Sequence, residues 1–372
     1  MKKILLISTG GTISQDHNAE GIAISNENSL KGNAFVKILN SVGHKENTSM
    51  LASSILLAKE NIESFDSITI LNKDSSNIVP EDWQLIINTI VDNYDDYDAF
   101  IITHGTNTLG YTSSALSFAL TNIGKPVVLT GAQVSVGLLG SDGIINLENA
   151  LRVINECQNL VGVFAVFGSR IIAGTRVKKK TEYEYDAFKT FGRISDIGRI
   201  GNSIIINEQS LKHHLSFLGN KAKIKKELIL KNTFDKNIIS LTEFPGLQSK
   251  YIKILADNGV KGFIIRGTGA GDLNLLKERN NNTDLSEALA YLKSKEIPIV
   301  VTTQAPDGVA SLNINEPGQL AKKYNVIPAF DMSIESMTVK LSWLIAQNKK
   351  YDEIRKEMIE SYKGEILIEN RM

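Results

Sequence analysis

"AFIITHGTNTLGYTSSALSFAL" occupies residues 99–120. It passes from an apolar run (99–103) through His104-Gly105-Thr106-Asn107 into a helical pattern at 112–124 that stops on Gly124. A run that is apolar at successive positions reads as a strand covered on both faces. Small hydroxyl and amide residues directly after it fall at the carboxyl end, where open parallel α/β sheets bind ligands. The beginning of the chain repeats this layout: "KKILLISTGGTI" (2–13) runs from apolar residues into Thr9-Gly10-Gly11-Thr12. Further buried-strand runs occur at 67–71, 126–130 and 161–167, separated by helical patterns at 80–94 and 141–157. The first of these opens on Pro80 with acidic residues behind it, as a helix N-terminus favours. Strands alternating with helices predict a doubly wound parallel α/β sheet.

The length of 372 residues exceeds one ordinary core and implies two domains. Between about 190 and 235 the alternation fails. "GRISDIGRIGNS" and "GNKAKIKKEL" are polar, glycine-bearing or basic and read as a linker carrying a hairpin at "SIIINEQ". Runs at 238–244, 261–267 and 297–303 then alternate with helical stretches at 247–258 and 284–295, before a final helix at 333–348. The expected organisation is a larger N-terminal α/β domain (1–190), a linker (191–235) and a smaller C-terminal α/β domain (236–372).

The apolar fraction of 42%, charged fraction of 22% and net charge of +0 are those of a soluble globular protein. They argue against nucleic acid as the main partner, which would need a basic face. No apolar run approaches the roughly 20 residues of a membrane span, and "ILLIS" is too short for a signal peptide, so no membrane partner and a cytoplasmic location are expected. The single Cys157 rules out an internal disulfide framework and reads as a small apolar helix residue. His213 and His214 fall in the polar stretch and read as surface residues. There is no H-E-x-x-H, paired cysteine or G-K-[ST] loop, so neither a metal nor a nucleotide cofactor is expected. "GTGAGD" (267–272) approximates a dinucleotide loop, but Asp272 takes the place of the last glycine.

Four polar clusters share the predicted sheet edge: Thr9 to Thr12, Asp74-Ser75-Ser76-Asn77, His104 to Asn107, and Arg176 to Lys180. Each has an ordinary reading as a turn, a helix cap or a solvated loop. Together they point to a small-molecule site. Threonine hydroxyls are poor nucleophiles until a base takes their proton. No Ser-His-Asp spacing or G-x-S-x-G is present. Lys178 to Lys180 supply an amine with cationic neighbours that would lower its pKa.

"TGGTI" (9–13), "HGTNT" (104–108) and "SDGIINLENAL" (141–151) resemble the signatures of bacterial L-asparaginases, and "PEDWQ", "NYDDYDAFIITHGT", "YTSSALSF" and "GKPVVLTGAQ" resemble the cytoplasmic type I branch. The likeness continues through "GTRVKKKTEYEYDAF" (174–188) to "AFDMSIESMTVKLSWLIAQN" (329–348). The resemblance implies hydrolysis of a side-chain amide to a carboxylate and ammonia, a two-domain fold, and a dimer or dimer of dimers. It matches Thr12 to the nucleophile, Thr106 to the second catalytic threonine and Lys179 to the lysine that hydrogen-bonds it. Asp74, Ser75 and Ser76 match the substrate-binding loop, with the serines holding the substrate's backbone end. The stretch 14–34 matches a mobile lid. An amidotransferase relative of this type would carry an extra N-terminal domain, for which "TGGTI" at residue 9 leaves no room.

The sequence departs from the family pattern at three positions. Asn107 stands where the second motif has Asp, which in the family faces the substrate's α-ammonium. Ile22 is the nearest counterpart of the lid tyrosine, and Asn77 replaces a further Asp. An aliphatic Ile22 cannot relay a proton, leaving Asp16 or His17 to assist Thr12, or Thr106 to carry more of the work. Loss of the Asp should also lower the pKa of Lys179. These changes define three readings: an amidohydrolase preferring asparagine with a blocked α-amine, an ordinary asparaginase that tolerates the substitution, and a non-catalytic amino-acid-binding relative.

Overall fold

The computed structural model describes residues 2–14, 16–17, 23–24, 62–136, 138–218, 228–275 and 283–367. The chain divides into two compact units, the first Met1–Thr190 with Ser195–Asn232 and the second Phe191–Ile194 with Thr233–Met372.

The first unit is built on an eight-stranded sheet. Its strands are β1 (Lys2–Gly10), β2 (Ile62–Lys73), β3 (Ala99–Thr103), β4 (Pro126–Thr130), β5 (Gly162–Phe167) and β6 (Arg170–Ala173), with β9 (Gly198–Ile200) and β10 (Ile204–Ile206) at one edge. A separate antiparallel pair, β7 (Val177–Lys179) and β8 (Phe188–Thr190), follows β6. The order across the large sheet is β10-β9-β6-β5-β4-β3-β1-β2. From β2 to β5 all neighbours are parallel, and β6, β9 and β10 add antiparallel to the edge. The run at 67–71, expected to be buried, instead lies on the edge strand β2 with none of its residues buried, because only one of its sides is paired. The continuous apolar runs at 99–103 and 161–167 are central strands, and every residue of β3 and β5 is buried. Burial of each large aliphatic side chain there, such as Ile4, Leu6 and Ile101, contributes about 1.5–3 kcal/mol.

Helices α1 (Pro80–Asp92), α2 (Leu109–Ala119) and α3 (Gly143–Glu156) connect these strands. Pro80 at the first helical position and Glu81 and Asp82 in the first turn account for the start of α1. Helix α2 is buried almost all round despite its serines. Ser114 and Ser117 satisfy their hydroxyls on the carbonyls of Gly110 (2.8 Å) and Ser113 (2.7 Å), one turn back. Helix α3 buries Leu147, Ala150, Leu151, Val153 and Ile154 in the main core.

Strand β1 has β2 on one side and β3 on the other, so the chain passes from β1 to β2 on one side and then back across β1 to β3 on the other. The carboxyl ends of β1 and β3 therefore flank the crevice where such sheets take ligands.

The stretch 191–235, expected as a linker, holds β9, β10 and helix α4 (Glu208–Phe217), which close the edge of the first sheet. β9 and β10 pair antiparallel, and β10 is the "III" of the expected hairpin segment "SIIINEQ"; β9, with Arg199 exposed at its centre, leaves no continuous apolar run to read. His214, expected at the surface, is buried with its ring 4.8 Å from that of Phe164. Cys157 packs against the core, and burial pushes its thiol pKa up.

The second unit carries a four-stranded parallel sheet in chain order: β11 (Ile238–Thr242), β12 (Gly262–Gly267), β13 (Ile299–Thr303) and β14 (Ile327–Pro328). Helices α5 (Ser249–Asp257) and α6 (Ser286–Ser294) contribute Ile252, Ala288, Leu289 and Leu292 to its core. Helix α7 (Ile334–Ala346) bears Lys340, wholly buried and paired at 2.7 Å with the equally buried Glu365. Backbone N–H groups of Tyr362 and Lys363 also donate to Glu365, so its charge is fully partnered. No helix among the described residues is long and apolar enough to cross a membrane.

Candidate active site

Three loops of the first unit meet through their backbones, and glycine is what lets them. Gly11 sits at φ +80, and a Cβ there would lie 2.3 Å from the Gly105 nitrogen and 2.4 Å from its Cα. A Cβ on Gly105 would in turn lie 2.6 Å from Ser75 Oγ. No side chain fits either gap, and the positive φ independently favours glycine at position 11. The loops after β1, β2 and β3 are thus in contact at Gly11, Ser75 and Gly105, and Thr12 and Thr106 are the next residues along two of them.

Thr106 is 6% exposed, and its Oγ1 accepts a hydrogen bond of 2.8 Å from Lys179 Nζ. The same amine donates to Asn107 Oδ1, also at 2.8 Å. Lys179 reaches this point from β7, whose pairing with β8 sets it opposite Phe188. The reading of the three lysines as a solvated loop therefore holds for Lys180, which is exposed and paired with Glu184, but not for Lys179. Burial pushes the Lys179 pKa below its ordinary value, opposed by the carboxylates of Glu182 and Asp74.

Asn107 is oriented by its neighbours. With Oδ1 held by Lys179, its Nδ2 donates to Ser76 Oγ at 3.2 Å, and its backbone N–H donates to Ser75 Oγ at 3.1 Å. Ser75 is buried and its carbonyl accepts from Thr108 Oγ1 at 2.6 Å. Asp74 caps the short 3₁₀ turn Ser75–Asn77 by accepting from the Ser76 N–H at 2.8 Å. The paired serines thus tie the second loop to the third rather than capping α1, whose N-cap is Val79.

The structure brings Thr106, Lys179, Asn107, Ser75 and Ser76 into one hydrogen-bonded group, joined to Asp74 by its cap. Thr12 opens a 3₁₀ turn directly beyond the Gly11–Gly105 contact and is partly exposed. Ile22 lies outside the described residues, as does most of the 14–34 stretch. Of that stretch, Asp16–His17 and Ala23–Ile24 form a short antiparallel pair.

Sequence reasoning assigned no role to His104, which is fully buried. Its Nδ1 lies 2.7 Å from the Gly105 carbonyl and its Nε2 2.9 Å from Thr112 Oγ1. A carbonyl can only accept, so the imidazole proton is on Nδ1 and Nε2 accepts from the Thr112 hydroxyl. Trp83 Nε1 donates to that hydroxyl at 3.1 Å. Burial lowers the His104 pKa to about 4, keeping the ring neutral. Behind the first loop, Lys73 accepts the Gly11 N–H on its carbonyl at 2.9 Å and holds the buried Asp82 carboxylate by both oxygens, at 2.7 and 2.8 Å. The sequence signal for both supports was "PEDW", where Asp82 and Trp83 are adjacent.

A buried hydroxyl in contact with an amine of lowered pKa, beside a second threonine loop, is a constellation for base-assisted attack on a carbonyl. The family model described as "Asparaginase, N-terminal" matches residues 3–212, and that described as "Glutaminase/Asparaginase C-terminal domain" matches residues 237–358. The L-asparaginase of Thermococcus kodakarensis is 32% identical over 98% of this chain and 99% of its own, and its solved structure superposes with a TM-score of 0.78. L-asparaginase 1 of Escherichia coli K12 is 35% identical over 79% of this chain and 82% of its own. A component of the glutamyl-tRNA(Gln) amidotransferase of Pyrococcus abyssi is 30% identical over 80% of this chain and 66% of its own. With both halves matched, and such relatives aligned across most of its length, the chain belongs to the asparaginase family and is an asparaginase-like amidohydrolase.

Proposed function

We propose that the protein hydrolyses the side-chain amide of asparagine, with preference for a derivative whose α-amine is blocked, through Thr12 as nucleophile and Thr106–Lys179 as the proton-transfer pair. Thr12 Oγ attacks the amide carbon and loses its proton. The nitrogen leaves as ammonia carrying that proton, and water opens the resulting ester to the carboxylate. Lys179, in its neutral form, takes the proton of the attacking water through Thr106 in the second half, and that proton returns to Thr12 Oγ as the ester bond breaks. Backbone N–H groups beside Thr106 would stabilise the oxyanion.

The observation that carries this reading is the Lys179 amine, 2.8 Å from both Thr106 Oγ1 and Asn107 Oδ1. An aspartate at 107 would place a full negative charge against that amine and hold its proton. The neutral amide offers a weaker acceptor and leaves burial to depress the pKa. Asn107 likewise offers no countercharge to a substrate ammonium, and Asn77 adds none. A neutral, acylated nitrogen suits such a pocket better than a free amine. We further propose that the protein acts in the cytoplasm as a homodimer or homotetramer.

Ammonia release from L-asparagine and from N-acetyl-L-asparagine tests the reading. The expected result is turnover of both with a higher kcat/KM for the acetylated amide. Preference for free asparagine would overturn the blocked-amine part and leave an ordinary asparaginase. Binding without any turnover would leave a non-catalytic relative.

A further inference from the structure

We infer that the first turn of α1 braces both threonine loops, with Asp82 and Trp83 acting as positioning residues that set Thr12 and Thr106 against each other. The inference rests on the amidohydrolase reading above and deepens it.

Two hydrogen-bond chains leave this turn. Asp82 holds the Lys73 amine with both carboxylate oxygens and accepts the Val79 N–H at 2.9 Å, fixing the end of β2 to the helix. The Lys73 carbonyl then takes the N–H of Gly11, the residue before Thr12. The other chain runs from Trp83 Nε1 to the Thr112 hydroxyl, to His104 Nε2, and from His104 Nδ1 to the Gly105 carbonyl, the residue before Thr106. Each link has one available direction. Indole only donates and a carbonyl only accepts, so the hydroxyl and imidazole protons have no second arrangement that satisfies all three contacts.

The Gly105 carbonyl belongs to the peptide that carries the Thr106 N–H. In a planar trans peptide these groups point opposite ways. Holding the carbonyl against His104 therefore fixes the direction of the Thr106 N–H as well as the course of its Cα. None of Asp82, Trp83, Thr112 and His104 is more than 8% exposed, which places them behind the reacting groups rather than among substrate contacts. The neutral state of His104 supports the chain, since an imidazolium could not accept from Thr112. Adjacent residues on a helix project about 100° apart, which lets one rigid turn reach two loops. A shift of about 1 Å between reacting groups costs roughly a hundredfold in rate.

The test is kinetic, made on full-length protein with the better of the two amide substrates. Thr112→Val keeps the shape and removes the central hydroxyl, Thr112→Ser restores it, and Lys73→Met breaks the other chain. Thr89→Val is the control on α1, where the hydroxyl bonds the Leu85 carbonyl one turn back. Thr112→Val and Lys73→Met are expected to lower kcat by roughly 10- to 100-fold, with KM nearly unchanged, while Thr112→Ser and Thr89→Val stay near wild type. If Thr112→Val does not fold, Trp83→Phe replaces it, with a smaller fall in kcat. Wild-type kcat in folded Thr112→Val and Lys73→Met, or equal damage in Thr112→Ser, would overturn the brace. If the wild-type protein releases no ammonia, the amidohydrolase reading fails and amide exchange decides the brace. It predicts faster exchange at 104–106 in Thr112→Val and at 11–12 in Lys73→Met, and unchanged exchange overturns it.

Discussion

The parallel strands of this chain's two main sheets end in similar residues and use them differently. At the first, Thr106 follows β3; at the second, Thr303 ends β13. Their exposures, 6% and 8%, do not separate them. Their partners do. Thr303 Oγ1 donates to the Gly269 carbonyl at 2.6 Å and accepts the Ala305 N–H at 2.9 Å, so its hydroxyl is spent on holding its own loop. Gln304 beside it donates to the carbonyls of Glu243 and Arg266, and Asp272 Oδ2 accepts from Asn315 Nδ2 at 2.5 Å. The "GTGAGD" segment is a closed turn, in which the Thr268 carbonyl accepts from both Gly271 and Asp272. At the first sheet the Thr106 hydroxyl instead meets an amine able to take up a proton. Hydroxyl residues at a strand end mark a place where chemistry can occur, and the partner decides whether it does.

This contrast is broken or sharpened most strongly by removing the hydroxyls. Thr12→Ala and Thr106→Ala should each reduce kcat by roughly 10³-fold or more, with folding preserved, measured as ammonia release at saturating substrate. Either variant retaining full activity would remove that threonine from the mechanism.

The neutral imidazole behind Thr106 gives the first unit an acid sensitivity. The unfolded chain has His104 at about 6.5 and the folded one at about 4. A depressed folded value means the unfolded state binds more protons between these limits, so its contribution is complete above about pH 6.5 and lost as pH falls to about 4. The loss is about 3 kcal/mol. Urea denaturation at pH 7 and pH 4.5 should show a smaller acid-induced decrease in His104→Gln than in wild type.

Asn107→Asp restores a carboxylate beside Lys179. It should raise the preference for free asparagine over the acetylated substrate by roughly 10- to 100-fold. It should also move the alkaline rise in activity to higher pH, because the new charge stabilises the protonated lysine. An unchanged substrate ratio would show that position 107 does not read the α-nitrogen.

The smallest effect is expected in the second unit. Thr303→Val should cost about 0.5–1.5 kcal/mol of stability by removing the hydroxyl that joins the Gly269 carbonyl to the Ala305 N–H. Thermal unfolding reads that loss, while kcat per folded molecule should stay close to wild type.

Much of this arrangement was legible in the sequence, because continuous apolar runs mark strands covered on both faces and glycine-threonine pairs mark their ends. β3 spans the predicted 99–103 and β4 the predicted 126–130. β10 was legible in the hairpin read at "SIIINEQ", but β9 was not: Gly198-Arg199-Ile200 holds no apolar run, and its place in the sheet depends on hydrogen bonds to β6, distant in sequence. Strand β2 extends well beyond the apolar 67–71 for the same reason, with Ser67 to Thr69 exposed on an edge. At the site, Thr106 and Lys179 were found through the resemblance, since no local pattern connects positions 73 residues apart. The partners of Asn107 could not be foreseen. Its two amide atoms face Lys179 and Ser76, contacts that depend on three loops converging. The chain from Trp83 to His104 was hidden because the three residue types all have ordinary roles in a core.

The most direct test of the Thr106–Lys179 pair is ammonia release as a function of pH in wild type and Lys179→Met. Wild-type kcat/KM is expected to rise with pH along a limb centred below the ordinary lysine value of 10.5. Lys179→Met should lose that limb and fall by roughly 10³-fold. A Lys179→Met enzyme that keeps the wild-type rate and pH profile would contradict the assignment of Lys179 as the base.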